Sequence, residues 1–158
     1  MGIYADKHRM YRDYCRELDR FRKNPLAAAD AEIDKWCEEY ISSRYSTWQN
    51  IFSDDGKPVG FLIIGKAGNE KHPDAAYGIS QAYIAPEYRG KGLMTDAVLR
   101  YVGEHKGIYG LLVIRGNTYA YDFWRKTFKM AGYRPYSLDA GCVADNGDDL
   151  ILLGFIPD

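Results

Sequence analysis

The stretch Arg89-Gly90-Lys91-Gly92 combines two cations with two glycines. It lies between an apolar run that closes at Ala85-Pro86 and a segment of helical spacing that opens at Leu93. The first turn of a helix leaves backbone N–H groups without an intrahelical acceptor, and the helix dipole adds partial positive charge there. Glycines let an anion approach the backbone without meeting a Cβ, so a turn of this kind suits a phosphate or pyrophosphate. The alternative is a tight strand-to-helix turn with two solvated basic residues. Two better-known phosphate loops are absent. No G-x-x-x-x-G-K-[ST] occurs, and Thr95 stands where G-x-G-x-x-G requires its third glycine. The histidines His8, His72 and His105 and the cysteines Cys15, Cys37 and Cys142 are scattered without ligand spacing, so no metal site is expected.

The elements that must hold this turn can be read from periodicity. A first helix is expected from Asp6, as its N-cap, to the stop at Asn24-Pro25, with Tyr11, Tyr14, Leu18 and Phe21 on one stripe. A second carries Leu26, Ile33, Trp36, Cys37, Tyr40 and Ile41 on one face and Asp30, Glu32, Asp34, Glu38 and Glu39 on the other. Strands are expected over Thr47 to Phe52, Pro58 to Ile64 and Tyr77 to Ala85, with a turn at Ser53 to Gly56 and a polar loop from Lys66 to Ala76. Then come a helix after Gly92, a strand to Ile114, a helix from about Asn117 to Ala131 capped by Gly132, and two strands joined by an Asn146-Gly147 turn. The strand–helix–strand unit from Tyr77 to Arg115 requires a parallel pair with a right-handed crossover; the remaining strands should be mainly antiparallel.

The 158 residues suit one domain over 1–158, large enough to bury a core without disulfide or metal. A net charge of −1 provides no overall field for nucleic acid. No apolar run reaches membrane-spanning length, no signal-peptide core follows Met1, and the odd, unpaired cysteines suit a reducing compartment. A cytoplasmic protein without membrane or nucleic-acid partners is expected, and a homodimer remains open.

The run Tyr83-Ile84-Ala85-Pro86-Glu87-Tyr88-Arg89-Gly90-Lys91-Gly92-Leu93 closely resembles the acetyl-CoA signature of the GNAT superfamily of N-acetyltransferases. Its [QR]-x-x-G-x-[GA] element is matched except at the last position, where Met94 stands and either crowds a pyrophosphate or points into the core. Asn117-Thr118-Tyr119-Ala120-Tyr121-Asp122-Phe123-Trp124-Arg125-Lys126 is similar to the family's N-x-x-A-x-x-[LF]-Y-x-K, and Ala131-Gly132-Tyr133 to its closing G-[FY]. The resemblance covers about Val59 to Tyr133. It implies an α+β GNAT acyl-CoA N-acyltransferase fold: a mixed, mostly antiparallel sheet of six to seven strands with a central parallel pair and helices on both faces. It also implies transfer of acetyl from acetyl-CoA, as cosubstrate, to a primary amine of a small molecule or peptide by direct attack. Two alternatives are a CoA-binding module without turnover and an interaction domain whose cofactor site Met94 blocks.

By position, the resemblance assigns the Ala82 N–H to the thioester carbonyl, and Tyr83 and Ile84 to the pantetheine arm. It assigns Arg89, Gly90, Lys91, Gly92, Leu93 and Met94 to the pyrophosphate. Asn117 faces the pantetheine or a water near the sulfur, or else caps its helix, and Phe123 and Trp124 stand beside the cofactor, Trp124 as a residue of the core or the pocket wall. Two positions depart from the family: Gly78 where some members place a glutamate base, and Trp124 where many place a tyrosine acid. Ser80 is expected to share the strand face of Gly78 and Ala82, where it could hold a relay water; the alternative is an ordinary strand polar residue. The acidic face of the second helix would draw a cationic amine, unless it is simply a solvated face.

Overall fold

A computed structural model describes residues 2–66 and 76–158. The elements run α1 (Ile3–Asp19), α2 (Asp30–Ser42), β1 (Ser46–Phe52), β2 (Pro58–Lys66), β3 (Ala76–Ile84), a single 3-10 turn (Pro86–Tyr88), α3 (Leu93–Glu104), β4 (Ile108–Ile114), α4 (Thr118–Met130), β5 (Tyr133–Val143) and β6 (Asp149–Pro157). Most of the expected loop between Lys66 and Ala76, including His72, lies outside the described residues; its two end residues belong to strands.

The six strands form one sheet in the order β1-β2-β3-β4-β6-β5. β3 and β4 pair parallel, and every other neighbouring pair is antiparallel. Alternation decides the faces. Leu62, Ile64, Tyr109, Leu111, Val113, Leu153 and Phe155 pack with Val98, Tyr101 and Val102 of α3 and Trp124 and Phe128 of α4. On the opposite face Phe61, Ile63 and Tyr83 pack with Met10 and Tyr11 of α1 and Ile33 and Cys37 of α2.

The first helix opens earlier than expected. Gly2 is its N-cap and Asp6 donates its N–H to the Gly2 carbonyl, so Asp6 sits in the first turn and pairs with Arg9 at 3.2 Å. Helix α1 also stops at Asp19, five residues before Asn24: the N–H groups of Arg20, Phe21 and Arg22 bond carbonyls three residues back, a tightening that ends the α-helix. The Asp19 carboxylate then accepts from the N–H groups of Leu26 and Ala27, both at 3.0 Å. That clamp holds Ala27 at φ 48, a left-handed backbone unusual for a residue with a Cβ.

Candidate active site

Gly90 (φ 80) and Gly92 (φ 78) both take the left-handed conformation that glycine adopts without steric cost. Among the described residues, a Cβ at either would have nothing within 4 Å, so the turn is open on its outer side. Gly92 is the N-cap of α3 and the first capping bond runs from Asp96 to the Gly92 carbonyl. The N–H groups of Gly90, Lys91, Gly92, Leu93, Met94 and Thr95 therefore find no acceptor among the described residues. The expectation assigned Arg89 to Met94 to a pyrophosphate; the unpaired N–H groups of this cradle run instead from Gly90 to Thr95. The Arg89 N–H is spent on Pro86 at 3.3 Å, while Thr95, not anticipated, joins the set. The Arg89 side chain also turns away: Nε donates to the Ile84 carbonyl at 2.8 Å and Nη2 to Glu17 at 2.6 Å. Lys91 stays exposed, its Nζ 5.3 Å from the Tyr88 ring centroid. Met94 packs against the core on the α3/α4 side, which leaves the cradle clear.

Behind the turn the parallel strands part. β3 and β4 are paired only from Ala76–Ile108 to Ile79–Leu111. Beyond Ile79, β3 keeps β2 on one edge and has no strand on the other. The Ala85 N–H bonds Val59 on β2 at 2.8 Å, and the register from Gln81 to Ile84 is unbroken. Because N–H direction alternates along a strand, the N–H groups of Ala82 and Ile84 point into the gap between β3 and β4.

The alternation expected to group Gly78, Ser80 and Ala82 is broken by a β-bulge. Ile64 faces Ile79 and Ile63 faces Gln81, so Ser80 is the extra residue. Before the bulge Tyr77 and Ile79 enter the α3/α4 core; after it Ala82 and Ile84 do. Ser80 is exposed, its Oγ 3.6 Å from where a Cβ on Gly65 would stand, and it shares a face with Gly78 but not with Ala82. Tyr83 is turned into the α1/α2 cluster, where burial pushes its phenol up to about 12.

Asn117 caps α4: its Oδ1 accepts from the Ala120 N–H at 3.1 Å. Trp124 is 6% exposed, in the core, edge-on to Phe123 with ring centroids 4.9 Å apart. Phe123 is half-buried beside it.

The sequence model described as the Acetyltransferase (GNAT) family matches residues 8–130. The chain belongs to this family. No curated protein matches it. Among solved structures, an acetyltransferase from Thermus thermophilus superposes with a TM-score of 0.65 at 17% identity, over 97% of this chain and 92% of the other. A structure described as "histone acetyltransferase HPA2 and related acetyltransferase" from Corynebacterium glutamicum superposes with a TM-score of 0.66 at 15% identity, over 98% and 91%. Nourseothricin acetyltransferase gives 0.52 at 21% identity, over 72% of this chain and 66% of its own. At these identities the likeness is one of fold.

In this GNAT chain a cavity of about 730 Å³ lies between α1, α2 and the sheet, with Tyr14, Trp36, Glu39, Tyr40 and Gln81 among its lining residues. Gln81, next to Ala82, accepts from the Tyr14 hydroxyl and donates to the Tyr40 hydroxyl at 3.1 Å. The acidic face of α2 is largely spent on α1. Arg12 donates to Asp34 at 2.7 Å, Arg16 to Asp30, and Glu38 takes the Tyr4 hydroxyl and stands 2.7 Å from His8 Nε2. These pairs brace the two helices. Two carboxylates line the cavity: Asp19, which accepts from the N–H groups of Leu26 and Ala27, and exposed Glu39.

Proposed function

We propose that this GNAT chain is an acetyl-CoA-dependent N-acetyltransferase, working as a single domain over residues 1–158, that acetylates a primary amine of a small molecule or peptide. The observation that carries this reading is the adjacency of the glycine cradle to the parted strands β3 and β4, with the Ala82 and Ile84 N–H groups aimed into the gap. The cradle fits a pyrophosphate, because its donors are unpaired and a Cβ on either glycine would occupy the anion's approach. Acetyl-CoA supplies an activated thioester. The Ala82 N–H suits the carbonyl oxygen of that thioester as charge gathers there, since a backbone donor is fixed in advance; losing such a donor typically costs about 2.7–4 kcal/mol in the barrier. The Ile84 N–H suits the pantetheine amide. The cavity at Gln81, walled by Trp36 and Tyr40 with Glu39 at hand, suits the acceptor.

The test is a panel of n-butylamine, tyramine, spermidine and a peptide with a free N-terminus, incubated with acetyl-CoA while thiol release is followed. Release that depends on both amine and protein supports the reading. Acetyl-CoA binding without release from any amine supports a binding module instead, a second reading favoured by the bare Gly78 and the buried Trp124.

A further inference from the structure

Tyr136 carries no signal in the sequence, being one aromatic residue within a long strand. In the fold it is the extra residue of a bulge: Pro135 faces Phe155 and Ser137 faces Gly154, so Tyr136 and Ser137 both oppose Gly154. Its ring lies over Gly154, where a Cβ would stand 2.6 Å from Cε1. The hydroxyl continues toward β4, 3.8 Å from the place of a Cβ on Gly110. Gly110 in turn pairs with Gly78, the position at which the family's glutamate base is missing, and a Cβ on Gly78 would meet nothing nearer than the Gly110 carbonyl at 4.0 Å. Gly154, Gly110 and Gly78 share the α1/α2 face, since their neighbours Leu153, Phe155, Tyr109, Leu111, Tyr77 and Ile79 fill the opposite core. Tyr136 is 52% exposed, and among the described residues its hydroxyl has no hydrogen-bond partner.

We propose that Tyr136 handles the amine's proton in acetyl transfer, a role that rests on the acetyltransferase reading above. As the N–C bond forms and the C–S bond breaks, sulfur keeps the bonding electron pair and must gain a proton, and nitrogen must lose one. A phenol hydroxyl is donor and acceptor at once. It takes the amine proton, directly or across one water, and releases its own toward the sulfur, ending in its starting state. The glycine at 154 leaves the space in which the ring can lie on the sheet and bring its hydroxyl to Gly110, beside Gly78.

Tyr136→Phe keeps the ring over Gly154 and removes only the hydroxyl. With the amine of the panel that the native chain turns over fastest, kcat is expected to fall about 100-fold or more, while acetyl-CoA affinity by calorimetry stays within about twofold. Gly154→Ala keeps the hydroxyl but pushes the ring end aside, a shift that a half-exposed side chain accommodates. A similar fall in kcat is expected, with the double variant losing no more than either single one. A readout free of turnover is the NMR signal of ¹³C-labelled tyrosine in the CoA-loaded protein. The resonance missing from Tyr136→Phe should shift when the same amine is added. Undiminished kcat in Tyr136→Phe, or a resonance that does not move, overturns the assignment and leaves the acetyltransferase reading standing. A native chain that turns over no amine overturns that reading and this role together.

Discussion

Arg89 joins the glycine turn to helix α1: its Nη2 lies 2.6 Å from the Glu17 carboxylate while its Nε holds the Ile84 carbonyl at 2.8 Å. The side chain thus braces the cradle from behind. Both ends of the ion pair are partly exposed, so the pair contributes about 1 kcal/mol or less. Glu17→Gln is expected to lower stability in urea titration by no more than that. It should weaken acetyl-CoA binding less than Arg89→Ala, which also releases Ile84. Equal affinities in the two variants would remove the Ile84 bond from the account.

Gly92 stands at φ 78 with open space where a Cβ would go. Gly92→Glu puts both a side chain and a negative charge into the cradle. The free protein should lose about 1 kcal/mol from the left-handed backbone and stay folded. The stabilisation by acetyl-CoA, about 2.7 kcal/mol at 100 times the dissociation constant in the native chain, should vanish. Calorimetry and thermal denaturation measure both, and an intact ligand shift would mean the anion sits elsewhere.

Ala27 is held at φ 48 by the Asp19 clamp. A left-handed residue with a Cβ costs about 1–2 kcal/mol, part of which a glycine recovers at the expense of chain entropy. Ala27→Gly is therefore expected to stabilise the protein by about 0.5–1 kcal/mol, whereas Asp19→Asn should destabilise it. A lower melting temperature for Ala27→Gly would show that the conformation carries no strain.

Asp148 is 1% exposed in the β5–β6 turn, which docks on the segment that follows α1. Burial pushes its carboxyl upward, but the Asn24 N–H at 3.0 Å, the Asn146 amide at 2.7 Å and Arg22 at 3.3 Å outweigh it and hold the group below the usual carboxylate value. A carboxyl depressed in the folded state stabilises it above the unfolded value, near ~3.9, and this is lost as pH falls through the folded value. Melting temperature should thus decline below about pH 4, and less steeply in Asp148→Asn. Parallel slopes in the two proteins would exclude Asp148 as a source of the acid sensitivity.

With glycine at position 78 and an indole at 124, no carboxylate stands at the family's base position. On the acetyltransferase reading proposed above, attack then depends on amine that is already neutral. For an alkyl amine with a pKa near ~10.4, log(kcat/KM) should climb with slope near one from about pH 6 to 9. A plateau opening near pH 7 would reveal a base with a matching pKa, and Glu39 of the cavity would be the first to replace.

The sequence by itself determined what depends on neighbours along the chain. The glycines at 90 and 92, the Asn117 cap, the Asn146-Gly147 turn and the parallel unit from Tyr77 to Arg115 are local chemistry, and each is found where expected. Only the tertiary structure decided what depends on partners far away. The bulge at Ser80 exists because of the register with Ile63 and Ile64, and it sends Gly78 and Ala82 to opposite faces. The carboxylates of α2 meet the cations of α1 only once the two helices pack. Tyr136 becomes a candidate for proton transfer only when β5 pairs with β6 and the Tyr136 ring crosses Gly154 toward β4. Periodicity reports which face a residue takes in a regular strand; a one-residue bulge reverses that face, and its position is set by the partner strand.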